Sequence, residues 1–212
     1  MNLYDRWILP SLLDLAMRQT HHAKYRSVVV GAARGRVLEI GVGSGLNFPF
    51  YGKAVEHVLG IDPSPRSLEM ARRRAAEVKV PIDLSLGSAT DIPIADGAVD
   101  TIVMTWTLCS IPDAPAALRE MRRVLKPEGD LLFVEHGLSS DAGVQRWQHR
   151  LNPVWRHIAG GCNLDRKMDD LIRSAGFDLK TLKTEYAPGP RAMGFMYQGC
   201  ACQRGRLGDL AR

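Results

Sequence analysis

The 212 residues, 45% of them hydrophobic, can bury the core of one domain, and the net charge of +5 is spread along the chain rather than gathered in a patch, which argues against nucleic acid as a partner. No apolar run reaches the roughly 18 uncharged residues a bilayer span requires, and the first segment carries Asp5, Arg6, Asp14 and Arg18, so neither an integral membrane segment nor a signal peptide is expected. Cys109, Cys162, Cys200 and Cys202 form no CxxC pair, which predicts a reducing, cytoplasmic setting and no metal site.

From residue 3 to about 30, apolar residues recur at helical spacing (Leu3, Trp7, Ile8, Leu12, Leu15, Ala16), with Pro10 placed to break or restart the helix. This preface, in two pieces, reads either as a lid carrying Tyr4, Trp7, His21, His22 and Tyr25, with Tyr4 and Tyr25 as ligand contacts, or as a helix packed on the sheet edge. Arg36-Val-Leu-Glu-Ile-Gly-Val-Gly-Ser-Gly45 follows, an apolar strand that ends in Glu39 and breaks into alternating glycines. Gly41, Gly43 and Gly45 suit a sharp turn that a ligand approaches closely. A helix is expected to begin within 46–53, shortened by Pro49 and Gly52. The next strand, 56–61, leads to Asp62. After it, Pro63-Ser64-Pro65 has helix-start chemistry for a helix through Val78.

The stretch 82–86 alternates apolar and polar residues and is expected toward a sheet edge, whereas 97–106 has almost no polar interior and suits the centre of a parallel sheet. A helix over 113–125 should stop at Lys126-Pro-Glu-Gly129, a tight turn before a fifth strand at 131–135. A helix over 144–158, broken at Pro153, and another over 165–175 come next. Strands at 177–185 and 193–202 are joined by Ala187-Pro-Gly-Pro190, too short for a crossover helix, and should pair antiparallel. The alternation predicts an α/β fold: a doubly wound, mostly parallel, seven-stranded Rossmann-like sheet with a C-terminal antiparallel strand pair. The expected divisions are a helical preface at 1–34, a main domain at 35–202 and a polar tail at 203–212. In such a sheet ligands bind beyond the carboxyl ends of the strands, so Glu39, the glycine turn and Asp62 should share one crevice.

Two cofactor chemistries use a strand, a glycine turn and an acid at the end of the next strand. The dinucleotide fingerprint GxGxxG needs its third glycine where Leu46 stands here; S-adenosylmethionine has no phosphate to cradle and calls for main-chain contacts and an acid instead. At these residues the sequence resembles the class I S-adenosylmethionine-dependent methyltransferases, over roughly residues 35–202. The likeness is carried in order by Glu39-Ile-Gly-Val-Gly-Ser-Gly45, Asp62, Ser88-Ala-Thr-Asp91, Asp96-Gly-Ala-Val-Asp100 and Leu125-Lys-Pro-Glu-Gly129. The resemblance implies S-adenosyl-L-methionine as cofactor. Glu39, Gly41, Gly43 and Gly45 would hold its methionine and ribose part, Asp62 its ribose hydroxyls, and Ser88 with Ala89 would border its adenine. Pro63 and Thr105 complete the implied cofactor set. The family often has an acid where Ser88 stands.

A narrower likeness lies in Thr105-Trp-Thr-Leu-Cys-Ser-Ile111, Phe133-Val-Glu-His136, Trp147-Gln-His-Arg-Leu-Asn-Pro-Val-Trp155 and Gly160-Gly-Cys-Asn-Leu-Asp-Arg166. These segments are similar to the methyltransferase-like alkyl-thiol S-methyltransferases and to bacterial relatives of the ubiquinone-type or phospholipid methyltransferases. The implied acceptor is a small, apolar thiol or sulfide. The alternatives are a quinone ring or phospholipid headgroup, and, in another class, a non-catalytic S-adenosyl-compound-binding module. Peripheral membrane contact stays open. Displacement at an activated sulfonium needs in-line positioning and exclusion of water rather than a strong base. His136, as orienting group or base, Trp106 and Cys109 are the catalytic candidates, with Glu135 beside them. His149, Trp155, His157, Cys162, Asn163 and Arg166 sit in the insertion expected to cover the site.

Overall fold

The computed structural model describes residues 4–205; of the tail expected at 203–212, Gln203 ends a strand and 206–212 lie outside the described residues. Seven strands form one sheet: β1 Gly35–Ile40, β2 Val55–Asp62, β3 Ile82–Leu86, β4 Val99–Thr105, β5 Leu125–His136, β6 Phe177–Tyr186 and β7 Phe195–Gln203. Their order is β3-β2-β1-β4-β5-β7-β6. β1 to β5 run parallel, and β7 lies antiparallel between β5 and β6. The chain builds outward from β1 to β3 and then returns to β4, so the carboxyl ends of β1 and β4 flank the point where the order reverses, the place where open α/β sheets bind ligands.

The sheet is covered on both faces. Alternate strand residues point to opposite sides: Leu38, Ile40, Ile102, Met104 and Phe133 pack with Leu118, Met121 and Ile172, while Val37, Val58, Val103 and Val134 pack with Tyr25, Val29 and Val30. The first side takes α4 Ala114–Val124 and α6 Met168–Ser174, and the second takes α2 Thr20–Val29. β4 is buried along most of its length and sits in the middle, whereas β3, with its alternating pattern, is an edge. Helix starts follow side-chain capping: the Ser64 hydroxyl accepts from the Ser67 N–H at α3 Pro65–Ala75, and the Asp113 carboxylate accepts from the Ala116 N–H at α4. The preface is helical in pieces, a π-helical turn at Tyr4–Ile8 followed by α1 Leu9–Met17 and α2, with Pro10 inside the first turn of α1 where its missing N–H costs nothing.

Five local expectations are corrected. The stretch 46–53 holds only a 3₁₀ turn, Phe48–Phe50, because the buried Phe48 ring packs against Gly45 and Pro49 and Gly52 prevent extension. α3 stops at Ala75 rather than reaching Val78. Lys126-Pro-Glu-Gly129 is not a turn ahead of the strand: β5 already pairs at Leu125 with Val99, and the intervening residues are taken up as a bulge before Asp130 pairs with Thr101. α5 Ala142–Ile158 runs unbroken through Pro153, and α6 begins at Met168 because Asp165 and Arg166 are engaged elsewhere. No helix among the described residues is long and apolar enough to cross a membrane.

Candidate active site

The glycine turn leaves β1 at the reversal point with Gly41, Gly43 and Gly45 all at positive φ. A Cβ on Gly41 would lie 2.4 Å from the Thr107 side chain, so that glycine lets the turn approach the loop after β4. A Cβ on Gly43 would meet nothing within 4 Å, which leaves that backbone open to a ligand. The Gly43 N–H donates to Asp62 Oδ2 and the Ser64 N–H to Oδ1, each at 2.8 Å. Each carboxylate oxygen therefore keeps acceptor capacity, and two such oxygens match the two hydroxyls of a vicinal diol. Burial pushes the Asp62 carboxyl up, against the two backbone donors.

Glu39 is fully buried and held from two sides: Asn47 Nδ2 donates to Oε1 at 2.9 Å and the Tyr51 hydroxyl to Oε2 at 2.6 Å. Asn47 also donates to Thr105 Oγ1 at 3.0 Å and accepts from Arg26 Nε at 3.0 Å, so α2, β1 and β4 meet at one side chain. Burial pushes Glu39 up to about 7 despite these donors. Glu39 thus braces the turn from within, while Asp62 keeps acceptor capacity for a ligand.

The preface is tied to the same turn. Asp14 of α1 is buried, accepts from the Ser44 hydroxyl at 2.5 Å, and pairs with Arg18 and with Arg74 of α3. Arg26 donates to the Met17 carbonyl, and the Tyr4 hydroxyl reaches the Ile158 carbonyl at the far end of α5. Tyr25 packs edge-on to Trp106. The broad surface depressions lie elsewhere, one of about 280 Å³ lined by Pro112, Arg166 and Leu171 and one of about 460 Å³ between Tyr51 and Val80; the crevice at the turn lies against α1.

Past β4 the backbone is sharply shaped. Trp106 has a φ of +50°, the one positive value at a non-glycine among the described residues, a conformation that costs on the order of 1–3 kcal/mol. The Glu135 carboxylate accepts from the backbone N–H groups of Thr107, Leu108 and Cys109 at 2.8, 3.0 and 3.3 Å and so fixes the turn; burial still pushes it up to about 7. The indole of Trp106 meets His22 edge-on (4.9 Å between ring centroids) and lies under the Arg26 guanidinium (4.9 Å). Its Nε1, like His22 Nδ1, is buried with no hydrogen-bond partner. The orphaned Trp106 and His22 nitrogens at the end of β4, the open Gly43 backbone after β1 and the diol-matched Asp62 at the end of β2 together fit a polar, adenosyl-type cofactor at this end of the sheet.

The insertion clamps that turn from the other side. Asn163 Nδ2 donates to the Cys109 carbonyl at 2.8 Å, and Arg166 Nη1 donates to the Leu108 and Ile111 carbonyls at 2.6 and 2.7 Å. Cys162 Sγ lies 3.4 Å from Cys109 Sγ and 3.2 Å from His136 Nε2. Contact with Cys109 and the nearby imidazole hold the Cys162 thiol down to about 4, against burial; burial opposes charge on His136, but Cys162 raises it, and the Cys109 thiol is pushed up by Cys162.

Among the expected site residues, Glu39, the three glycines, Asp62 and Thr105 gather at one end of the sheet, and His136, Cys109 and Trp106 line the neighbouring strand ends. Ser88 is exposed with its hydroxyl on Thr90, Ala89 is half-buried and Pro63 is exposed, all near the carboxyl ends of β2 and β3. His149 and His157 do not converge: the first faces Asp165 and the second its own helix at the Pro153 carbonyl. Sequence reasoning missed the roles of Asp14, Arg26, Asn47 and Tyr51. Asp14, the one charged residue within Leu9–Met17, was the available signal.

Residues 38–133 match the family model of the methyltransferase domain. The chain is 36% identical over 171 residues to thiol S-methyltransferase TMT1B of Rattus norvegicus, a match covering 74% of this chain and 68% of that protein. It is 32% identical over 137 residues to phosphatidylethanolamine N-methyltransferase of Cereibacter sphaeroides, covering 63% and 66%. Among solved structures, an S-adenosylmethionine-dependent methyltransferase of Thermotoga maritima superposes with a TM-score of 0.67 at 23% identity, covering 95% of this chain and 98% of that one, which shows the shared fold. With the glycine turn, the acid at the end of β2 and the β5-β7-β6 closing strands in place, the chain belongs to the class I S-adenosylmethionine-dependent methyltransferases.

Proposed function

We propose that this protein transfers the methyl group of S-adenosylmethionine to the sulfur of a small, apolar thiol or sulfide. The observation that carries this reading is the likeness to a thiol S-methyltransferase: it takes in 74% of the chain, more than residues 38–133 supply, and so runs beyond the domain that methyltransferases share. The cofactor supplies a methyl group already activated by a sulfonium charge, so the chain's task is to hold the two reactants in line and keep water out.

In this reading Asp62 holds the ribose hydroxyls, and Gly41, Gly43 and Gly45, braced by Glu39, present backbone to the methionine and ribose part. Pro63, Ser88 and Ala89 border the adenine, and Thr105, fixed by Asn47, closes the set. Residues 35–202 form the catalytic domain, and the preface at 1–34 acts as a lid pinned by Asp14 to Ser44. Trp106, held in its strained conformation by the network around Glu135, walls the acceptor side, with Cys109 and His136 next to it. His136 orients the acceptor sulfur. The four free cysteines suit a reducing cytoplasm.

One surface bears on how an apolar acceptor arrives. Trp7, Ile8 and Leu12 on the preface and Trp147, Val154 and Ile158 on α5 are all at least half exposed, and Arg146, Arg150 and Arg156 stand out from α5 among them. An apolar face edged by cations suits peripheral contact with an anionic lipid surface. The same face, with the likeness to a phosphatidylethanolamine N-methyltransferase, favours a second reading in which the acceptor is a lipid headgroup. Incubation with methyl-labelled cofactor and both acceptors separates the two: label on the added thiol supports the first, and label on phosphatidylethanolamine alone replaces it with the second.

A further inference from the structure

We infer that Cys109, His136 and Cys162 form a three-ligand zinc site whose open fourth position takes the sulfur of the acceptor; the fourth-ligand part rests on the thiol reading above. The three ligands come from three separate elements, the loop after β4, the end of β5 and the turn after α5, and their Sγ, Sγ and imidazole nitrogen atoms all lie within 4.8 Å of one another. No sequence spacing brings them together; the fold does, across 53 residues between the two cysteines.

The dimensions suit zinc. Tetrahedral bonds of about 2.3 Å to sulfur and about 2.0–2.1 Å to nitrogen imply edges of roughly 3.8 Å between two sulfurs and roughly 3.5 Å between sulfur and nitrogen. The observed edges are 3.4 Å and 3.2 Å, a triangle that opens by a few tenths of an ångström to admit the ion. Two thiolates and an imidazole are the ligand types that select zinc over harder cations. The surroundings also fit. The buried His136 ring turns Nε2 toward Cys162, on the strand end that holds it in place for ligation. The Trp155 Nε1–H is buried with no hydrogen-bond partner and lies near the Cys162 sulfur, where a spare donor can steady a ligating thiolate. Glu135 and Asn163 fix the backbone on which Cys109 sits.

Three protein ligands leave one tetrahedral position, the pattern of a catalytic rather than a structural zinc. Cys162 is less buried than Cys109 and His136, which marks the side from which a fourth ligand enters. An acceptor thiol bound there releases its proton to solvent, since coordination deprotonates a thiol outright. Its sulfur lone pair then forms the new S–C bond to the methyl carbon while the sulfonium S–C bond breaks and leaves its electron pair on the cofactor sulfur. The methyl thioether formed is a weaker ligand and departs.

The full chain, purified from zinc-supplemented cells and gel-filtered, should carry one equivalent of zinc by mass spectrometry of the metal. Cys109→Ser and Cys162→Ser should each lose most of it while still binding S-adenosylmethionine. Because a buried substitution can impair folding, cobalt exchanged into the wild type gives a second readout: tetrahedral visible absorption with a sulfur-to-cobalt band, shifted when ethanethiol is added. Metal-free wild type, zinc retained undiminished by Cys162→Ser, or a cobalt spectrum indifferent to ethanethiol would overturn the inference. Ethanethiol methylation that persists in chelator-stripped, metal-free protein overturns it as well while leaving the thiol-transfer reading intact. A thiol-responsive metal site in a protein that methylates no thiol overturns that reading and leaves the site.

Discussion

Asp62 has two oxygens and two backbone donors, and what remains on each oxygen is what a diol can use. Hydrogen bonds to a charged group contribute about 1.5–3 kcal/mol each, so Asp62→Asn should weaken S-adenosylmethionine binding by roughly 10- to 100-fold, measured by calorimetry; an unchanged Kd would remove Asp62 from the cofactor site. Glu39 and Glu135 make a different prediction. Both are fully buried and pushed up to about 7 from an ordinary value of 4.5, so between those values the folded state binds more protons than the unfolded chain. Their contribution to stability is fully present below about pH 4.5 and is lost as the pH rises through about 7. Denaturant titrations across this window should show stability falling with pH, and Glu39→Gln should flatten part of the slope. A slope unaffected by that change would mean the Glu39 carboxyl is ionised throughout.

At the scale of elements, α1 is the least conventional piece, a helix whose single buried acid is bonded into the glycine turn. Asp14→Ala removes the contacts to Ser44 and Arg74, so hydrogen exchange should speed up in both α1 and residues 41–47, and cofactor should dissociate faster. Faster exchange in α1 alone, with unchanged dissociation, would make the preface a packed cover rather than a lid. The alternation of strands and helices was legible because each element carries its own signal: the apolar run of β4, the alternation of β3, the caps Ser64 and Asp113. What misled were local breakers overruled by tertiary context. Pro153 does not break α5, and Pro127 and Gly129 sit inside β5 as a bulge rather than before it. The site divides the same way. Glu39, the glycines and Asp62 lie in contiguous motifs and could be read off directly, whereas Arg26, Asn47, Tyr51 and the Cys109–His136–Cys162 group depend on contacts between distant segments that no spacing encodes.

For the whole molecule, the exposed apolar face on the preface and α5 and the exposed arginines of α5 belong together in one account. Vesicles containing phosphatidylserine should sediment the protein at low salt and release it as salt screens the arginines. Replacing Trp147 and Val154 with Ser should abolish that binding with little change in turnover of a water-soluble thiol. Binding that survives both substitutions would place the lipid contact elsewhere. The claim that joins fold, site and family is methyl transfer to sulfur, and the most direct measurement is a single-turnover reaction with methyl-deuterated S-adenosylmethionine and ethanethiol, read by mass spectrometry. The account predicts deuterated ethyl methyl sulfide in proportion to enzyme, reduced in Asp62→Asn at limiting cofactor and restored at saturating cofactor. Cofactor bound at the glycine turn, with no labelled sulfide from this or a wider panel of thiols, would contradict it.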